Sequence, residues 1–121
     1  MSLQLTNQLG HIKVSNDVIA TLAGVAAMEC YGLVGMASRS QLRDGITELL
    51  GRDNLARGIE VHTSQDVVTI DMHIVVGYGT KISEVAKGVQ SKVKYTLREL
   101  IGIEVEHVNV FIQGVRLVNE D

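Results

Sequence analysis

The sequence contains no proline and no tryptophan, one phenylalanine and one cysteine. A single cysteine excludes an intramolecular disulfide, so the chain must fold by packing alone. With so few aromatics, that packing is aliphatic, drawn from Val, Ile, Leu and Ala. Long hydrophobic runs are lacking as well. The longest weakly charged stretch, residues 18–28, falls short of the roughly 20 apolar residues a spanning helix needs. No opening segment joins a basic region to an apolar core and a small-residue cleavage site, so a cytoplasmic location is the default expectation. Positive charge is not in excess either: the formal net charge is −3, which argues against a dedicated nucleic-acid binder, whose domain is usually basic. Repeats, linkers and low-complexity tracts do not occur. At 121 residues the expectation is one domain over 1–121, able to bury roughly two-thirds of the surface of its unfolded chain.

What is present is a set of periodic patterns. Residues 11–14 alternate, predicting a short strand with Ile12 and Val14 inward. Ser15 or Asn16 then caps a helix reaching about Cys30, with Asp17 in its first turn and Gly32 as the stop. On a helical wheel Val18, Ile19, Leu22, Val25 and Ala26 share one face, with Ala20, Gly24 and Ala27 on the other. So little polar surface predicts cover on more than one side, under a second helix or in a homodimer seam. Residues 40–51 predict that second helix, and residues 52–58 a loop.

From Ile59 the period switches to two. Ile59 and Val61, then Val68, Ile70, Met72, Ile74 and Val76, predict a hairpin with Val61 opposite Val68 and a tight Ser64-Gln65 connection. Its outward residues are Glu60, His62, Val67, Thr69, Asp71, His73 and Val75. Ile82, Val85, Ala86, Val89, Val93, Leu97 and Leu100 then form the stripe of a third helix, with Thr80 as cap and Gly102 as stop. Val108, Val110 and Ile112 mark a last strand. The order β-α-α-β-β-α-β predicts an α+β two-layer sandwich, with helices on one face of a mixed sheet of 3–4 strands. A crossover through the third helix would join its parallel pair.

Residues 10–20 (GHIKVSNDVIA), 26–36 (AAMECYGLVGM) and 108–115 (VNVFIQGV) together resemble the alkaline shock protein family of Gram-positive bacteria, the general-stress or envelope-stress family. The segment around Cys30–Ser38 is similar to the branch often encoded beside a dihydroxyacetone-kinase-like or fatty-acid-kinase protein. The resemblance implies a non-enzymatic cytoplasmic protein whose relatives associate with the membrane through a small anchoring protein and serve envelope homeostasis.

Each chemistry-bearing feature has a structural reading beside its functional one. Lys87, Lys94 and Arg98 gather opposite the third helix's apolar stripe, as a solvated face or as a basic stripe toward an anionic surface. Glu29 sits where the helix dipole disfavours an anion, and calls for Arg39, Arg43 or water. Gly32-Leu33-Val34-Gly35 matches the GxxG clamp of KH domains, but its middle residues are apolar, and a helix-stop turn explains it. Gly77-Tyr78-Gly79-Thr80-Lys81 is too short for a phosphate loop, although Tyr78 between glycines suits an exposed contact. His11, His62, His73 and His107 show no close ligand spacing, and in the hairpin as drawn His62 and His73 lie about 20 Å apart. No metal site, cofactor or catalytic group is expected. Cys30 reads as a small buried apolar residue. Phe111 points to the outward sheet face with Val67 and Val75, as an interface centre.

The reading is therefore a non-enzymatic interaction or scaffold protein of envelope-stress homeostasis. It would bind a membrane anchor protein, a kinase or itself through Phe111, Val67, Val75 and Tyr78, at the inner membrane surface, with membrane contact indirect. The rivals are an accessory subunit of the dihydroxyacetone-kinase-like or fatty-acid kinase, and a KH-like nucleic-acid module.

Overall fold

A computed structural model describes residues 2–38, 49–50 and 52–117. Strand β1, Ser2–Asn7, pairs antiparallel with β2, Gly10–Ser15, as a separate two-stranded ribbon. Helix α1, Asn16–Met28, starts where the Ser15 hydroxyl accepts the Val18 N–H, one of the caps expected from sequence. Strand β3, Leu33–Met36, and a kinked 3-10 segment, Arg52–Gly58, precede the hairpin of β4, Ile59–Ser64, and β5, Val67–Gly77. Helix α2, Ile82–Ile101, ends at Gly102 in the left-handed conformation, and β6, Val105–Arg116, follows.

Strand β5 is the axis of the main sheet. One edge takes β6 in parallel along nearly its whole length; the other takes β4 beside residues 67–72 and β3 beside residues 74–76, both antiparallel. The helices lie on one face, α1 against β3 and β4 and α2 against β6, and they touch each other. Ile70, Met72 and Ile74 from β5 meet Ile19 of α1 and Val89, Val93 and Leu97 of α2 in a single core. Complete burial of a side chain of this size contributes roughly 1.5–3 kcal/mol.

The α+β architecture and the mixed four-stranded sheet agree with the pattern, but five particulars differ, the first being that residues 52–58, expected as a loop, form the 3-10 segment. The strand at Gly10–Ser15 belongs to the ribbon, which leaves Ile12 half exposed, and β3 takes the expected place in the sheet. Residues 40–48 and 51 of the expected second helix lie outside the described residues. Leu49 and Leu50 are not helical: Leu49 bridges Ala37, and the Leu50 N–H donates to the Met36 carbonyl. The β4–β5 register sets Val61 opposite Ile70, two positions from the expected pairing. Gln65 and Asp66 both take positive φ, 50° and 67°, as a type I′ hairpin requires. Finally, α1 packs through its small residues Ala20, Ala23, Gly24 and Ala27 together with Ile19 and Ala26, so Val18 and Val25 are about half exposed. Small side chains let the helix approach the sheet and the 3-10 segment closely, whereas branched ones would hold it off.

Candidate interaction surface

Strand alternation puts one set of β4, β5 and β6 residues on the face opposite the helices. The parallel register brings His73 opposite Phe111 and Asp71 opposite Asn109. The His73 and Phe111 rings stack with centroids 5.0 Å apart and planes inclined by 17°. Gln113 donates its amide to His73 Nδ1 at 3.0 Å, which holds the imidazole against the ring. Phe111 keeps 45% of its surface exposed. A second group lies one repeat along: His62 Nε2 is 3.2 Å from Asp71 Oδ2, and Asn109 Nδ2 donates to Asp71 Oδ1 at 2.9 Å. Glu60 Oε1 is 3.7 Å from the same His62 nitrogen.

The structure separates the four residues expected at one interface. Phe111 lies on this face, on the edge strand β6 against His73 of β5. Val67 is exposed at the start of β5, six residues from His73, which is about 20 Å of strand. Tyr78 is well exposed beyond the other end, its N–H bound to the Arg116 carbonyl. Val75 does not reach the surface, with 0% exposure. Its partner across the strands is Gly35, which Leu49 covers so closely that a Cβ there would come within 2.9 Å of Leu49 Cδ2. Leu49 thus packs on the strand position beside Val75 from 26 residues away in sequence, which strand alternation alone does not reveal.

Lys87, Lys94 and Arg98 are all exposed on α2, away from the core stripe. Arg98 leans over the Tyr95 ring, 5.9 Å from its centroid, and lies 3.9 Å from Glu99. Glu29 has a cation on α2, with Lys92 Nζ 3.4 Å away; Arg39 and Arg43, the expected partners, lie outside the described residues. Both side chains are largely in water, so the pair contributes little stability. Residues 32–35 run into β3 with Gly35 buried, so they offer no exposed GxxG loop to a nucleic-acid backbone. Thr80 does not cap α2; its hydroxyl donates to the Gly77 carbonyl at 2.6 Å, and Lys81 occupies the cap without a side-chain bond.

Beside Lys92 opens a surface cavity of about 480 Å³ lined by Cys30, Tyr31, Lys81, Glu84, Val85 and Gly88. The Cys30 thiol faces the Ala26 and Gly88 carbonyls, 3.7 Å from each, and burial pushes its pKa up despite the opposing Lys92 charge. A thiol held protonated is a poor nucleophile. Sequence periodicity had no means of finding this cavity, because it forms between the end of α1 and the first half of α2.

Among known protein families, residues 4–117 match the alkaline shock protein family, described by its cell envelope-related function. The uncharacterised protein YloU of Bacillus subtilis (strain 168) is 53% identical over 98% of this chain and 99% of its own length. The uncharacterised protein Spy1614 of Streptococcus pyogenes serotype M6 is 39% identical over the full length of both. The uncharacterised protein YqhY of Bacillus subtilis (strain 168) is 32% identical over 89% of this chain and 78% of its own. Neither the family description nor these names indicates an enzyme. No solved structure matches the chain.

Proposed function

The chain belongs to the alkaline shock protein family, whose function is cell envelope-related, and from that premise we propose that it is a non-enzymatic scaffold of envelope-stress homeostasis. It binds a protein partner, or a second copy of itself, at the cytoplasmic membrane surface. The observation that carries this reading is the half-exposed Phe111, braced by His73 and Gln113 on the sheet face that the helices leave uncovered. A rigid aromatic surrounded by polar groups suits the centre of an interface, because it contributes area without losing much side-chain freedom on binding. No helix among the described residues is long and apolar enough to cross a membrane. The Lys87, Lys94 and Arg98 stripe would add only about 1 kcal/mol per charge at an anionic surface, so recruitment is assigned to an anchoring protein.

The test compares wild type with Phe111→Asp by size-exclusion chromatography with light scattering and by affinity capture from the native cell. Loss of the oligomer, or of a captured membrane protein, is the expected result. An unchanged oligomeric state together with an unchanged set of captured proteins removes the sheet-face reading. Capture of a kinase in place of a membrane protein would redirect the reading to an accessory subunit.

A further inference from the structure

The group formed by Glu60, His62 and Asp71 is the one place among the described residues where three potential metal ligands converge: one donor atom from each lies within 4.8 Å of the others. Glu60 stands directly opposite Asp71 in the β4–β5 register. Two carboxylates so placed in an antiparallel pair repel each other and cost stability. His62, two residues along β4, adds a nitrogen donor between them. Its Nε2 lies 3.2 Å from Asp71 Oδ2 and 3.7 Å from Glu60 Oε1. Ligands about 2.0–2.1 Å from a tetrahedral zinc ion are themselves about 3.3 Å apart, so two edges of that tetrahedron are already close to length. The third edge, between Glu60 and Asp71, spans at most 4.8 Å. Asn109 donates to the other Asp71 oxygen, the kind of outer contact that orients a metal-binding carboxylate.

We propose that Glu60 Oε1, His62 Nε2 and Asp71 Oδ2 form a site for a divalent transition-metal ion of the zinc class, with water completing the coordination. An imidazole beside two carboxylates selects such ions over calcium and magnesium, which favour oxygen-only sites. The spacing of the histidines gives no hint of it, because only one of the four takes part and its co-ligands are acids from two strands. The proposal is independent of partner binding by Phe111. The same geometry without metal would be a hydrogen-bonded His62–Asp71 pair beside Glu60, which has no dependence on zinc.

The full chain, stripped with chelator, is titrated with zinc chloride by calorimetry and followed by thermal melting. One zinc per chain and a raised melting temperature are expected for wild type and for His107→Gln. His62→Gln and Asp71→Asn should each lose the heat and the shift, while Asn109→Ala should weaken binding by about tenfold. If either site variant fails to fold, Glu60→Gln carries the same test. Absence of zinc binding by wild type, or binding at wild-type strength in the site variants, overturns the proposal.

Discussion

Individual residues show how an environment overrides a residue's default chemistry. Cys30 is the only thiol, and burial holds its pKa above the ordinary value, with Lys92 acting in the opposite direction. The folded state therefore favours the protonated form. It should react with iodoacetamide more slowly than an unfolded control at pH 8, and its rate should climb at higher pH than the control's; an identical pH–rate curve would contradict the burial. The linked stability has a fixed sign. It is fully present below the unfolded thiol pKa, about 8.5, and is lost as pH rises through the higher folded value. Asp66 illustrates backbone rather than side-chain chemistry. Its φ of 67° lies in the left-handed region, where glycine avoids the steric cost an L-residue bears. Asp66→Gly should stabilise by a few tenths to about 1 kcal/mol, read as a higher denaturant midpoint. An unchanged or lower midpoint would mean that the aspartate is held there by something besides the turn.

Among the elements, α2 followed its pattern most closely and still needed the structure to rank its positions. Leu97 and Leu100 share the apolar stripe seen in the sequence, yet Leu97 has 0% exposure and Leu100 has 65%. Leu97→Ala should cost about 2–5 kcal/mol by leaving a cavity, and Leu100→Ala should stay within about 0.5 kcal/mol of wild type. Equal effects in chemical denaturation would refute the assignment of the last turn to solvent. In α1 the expected cover on more than one side is present, since Ile19 and Ala26 are buried along with Ala20, Gly24 and Ala27. The wheel did not reveal that Val18 and Val25 stay half exposed. With only Asp17 and Glu29 charged, the helix carries almost no polar contrast to mark the solvent side. What decided its orientation was volume: the alanines and Gly24 admit the sheet and Leu55, with Leu55 Cβ only 3.0 Å from where a Gly24 Cβ would stand. The hairpin register escaped for a different reason. Gln65-Asp66 is not one of the glycine-bearing pairs that announce a type I′ turn, so the apolar alternation had to fix the register alone. Because side chains alternate with period two, a two-residue error keeps every face correct and exchanges every cross-strand partner.

For the whole molecule, that exchange governs which functional groups meet. The outward positions Glu60, His62, Asp71 and His73 were legible as a face, but their partners depend on the true register and on the parallel docking of β6. Only this docking sets Phe111 on His73 and Asn109 on Asp71. The two experiments on this face separate cleanly. Phe111→Asp probes partner binding while leaving the three proposed zinc ligands in place, and His62→Gln probes the metal while leaving the aromatic stack in place.

By itself the sequence determined the α+β class, the family, the α1 start at Ser15, the α2 stop at Gly102 and the inward face of β5, because each rests on local spacing or a contiguous motif. Tertiary structure alone decided that β3 rather than β2 joins the main sheet, that Val75 is covered, that Lys92 answers Glu29, and that Glu60, His62 and Asp71 converge. Each of these depends on residues far apart in sequence being brought to one place, and periodicity records the direction a side chain takes without recording what it meets.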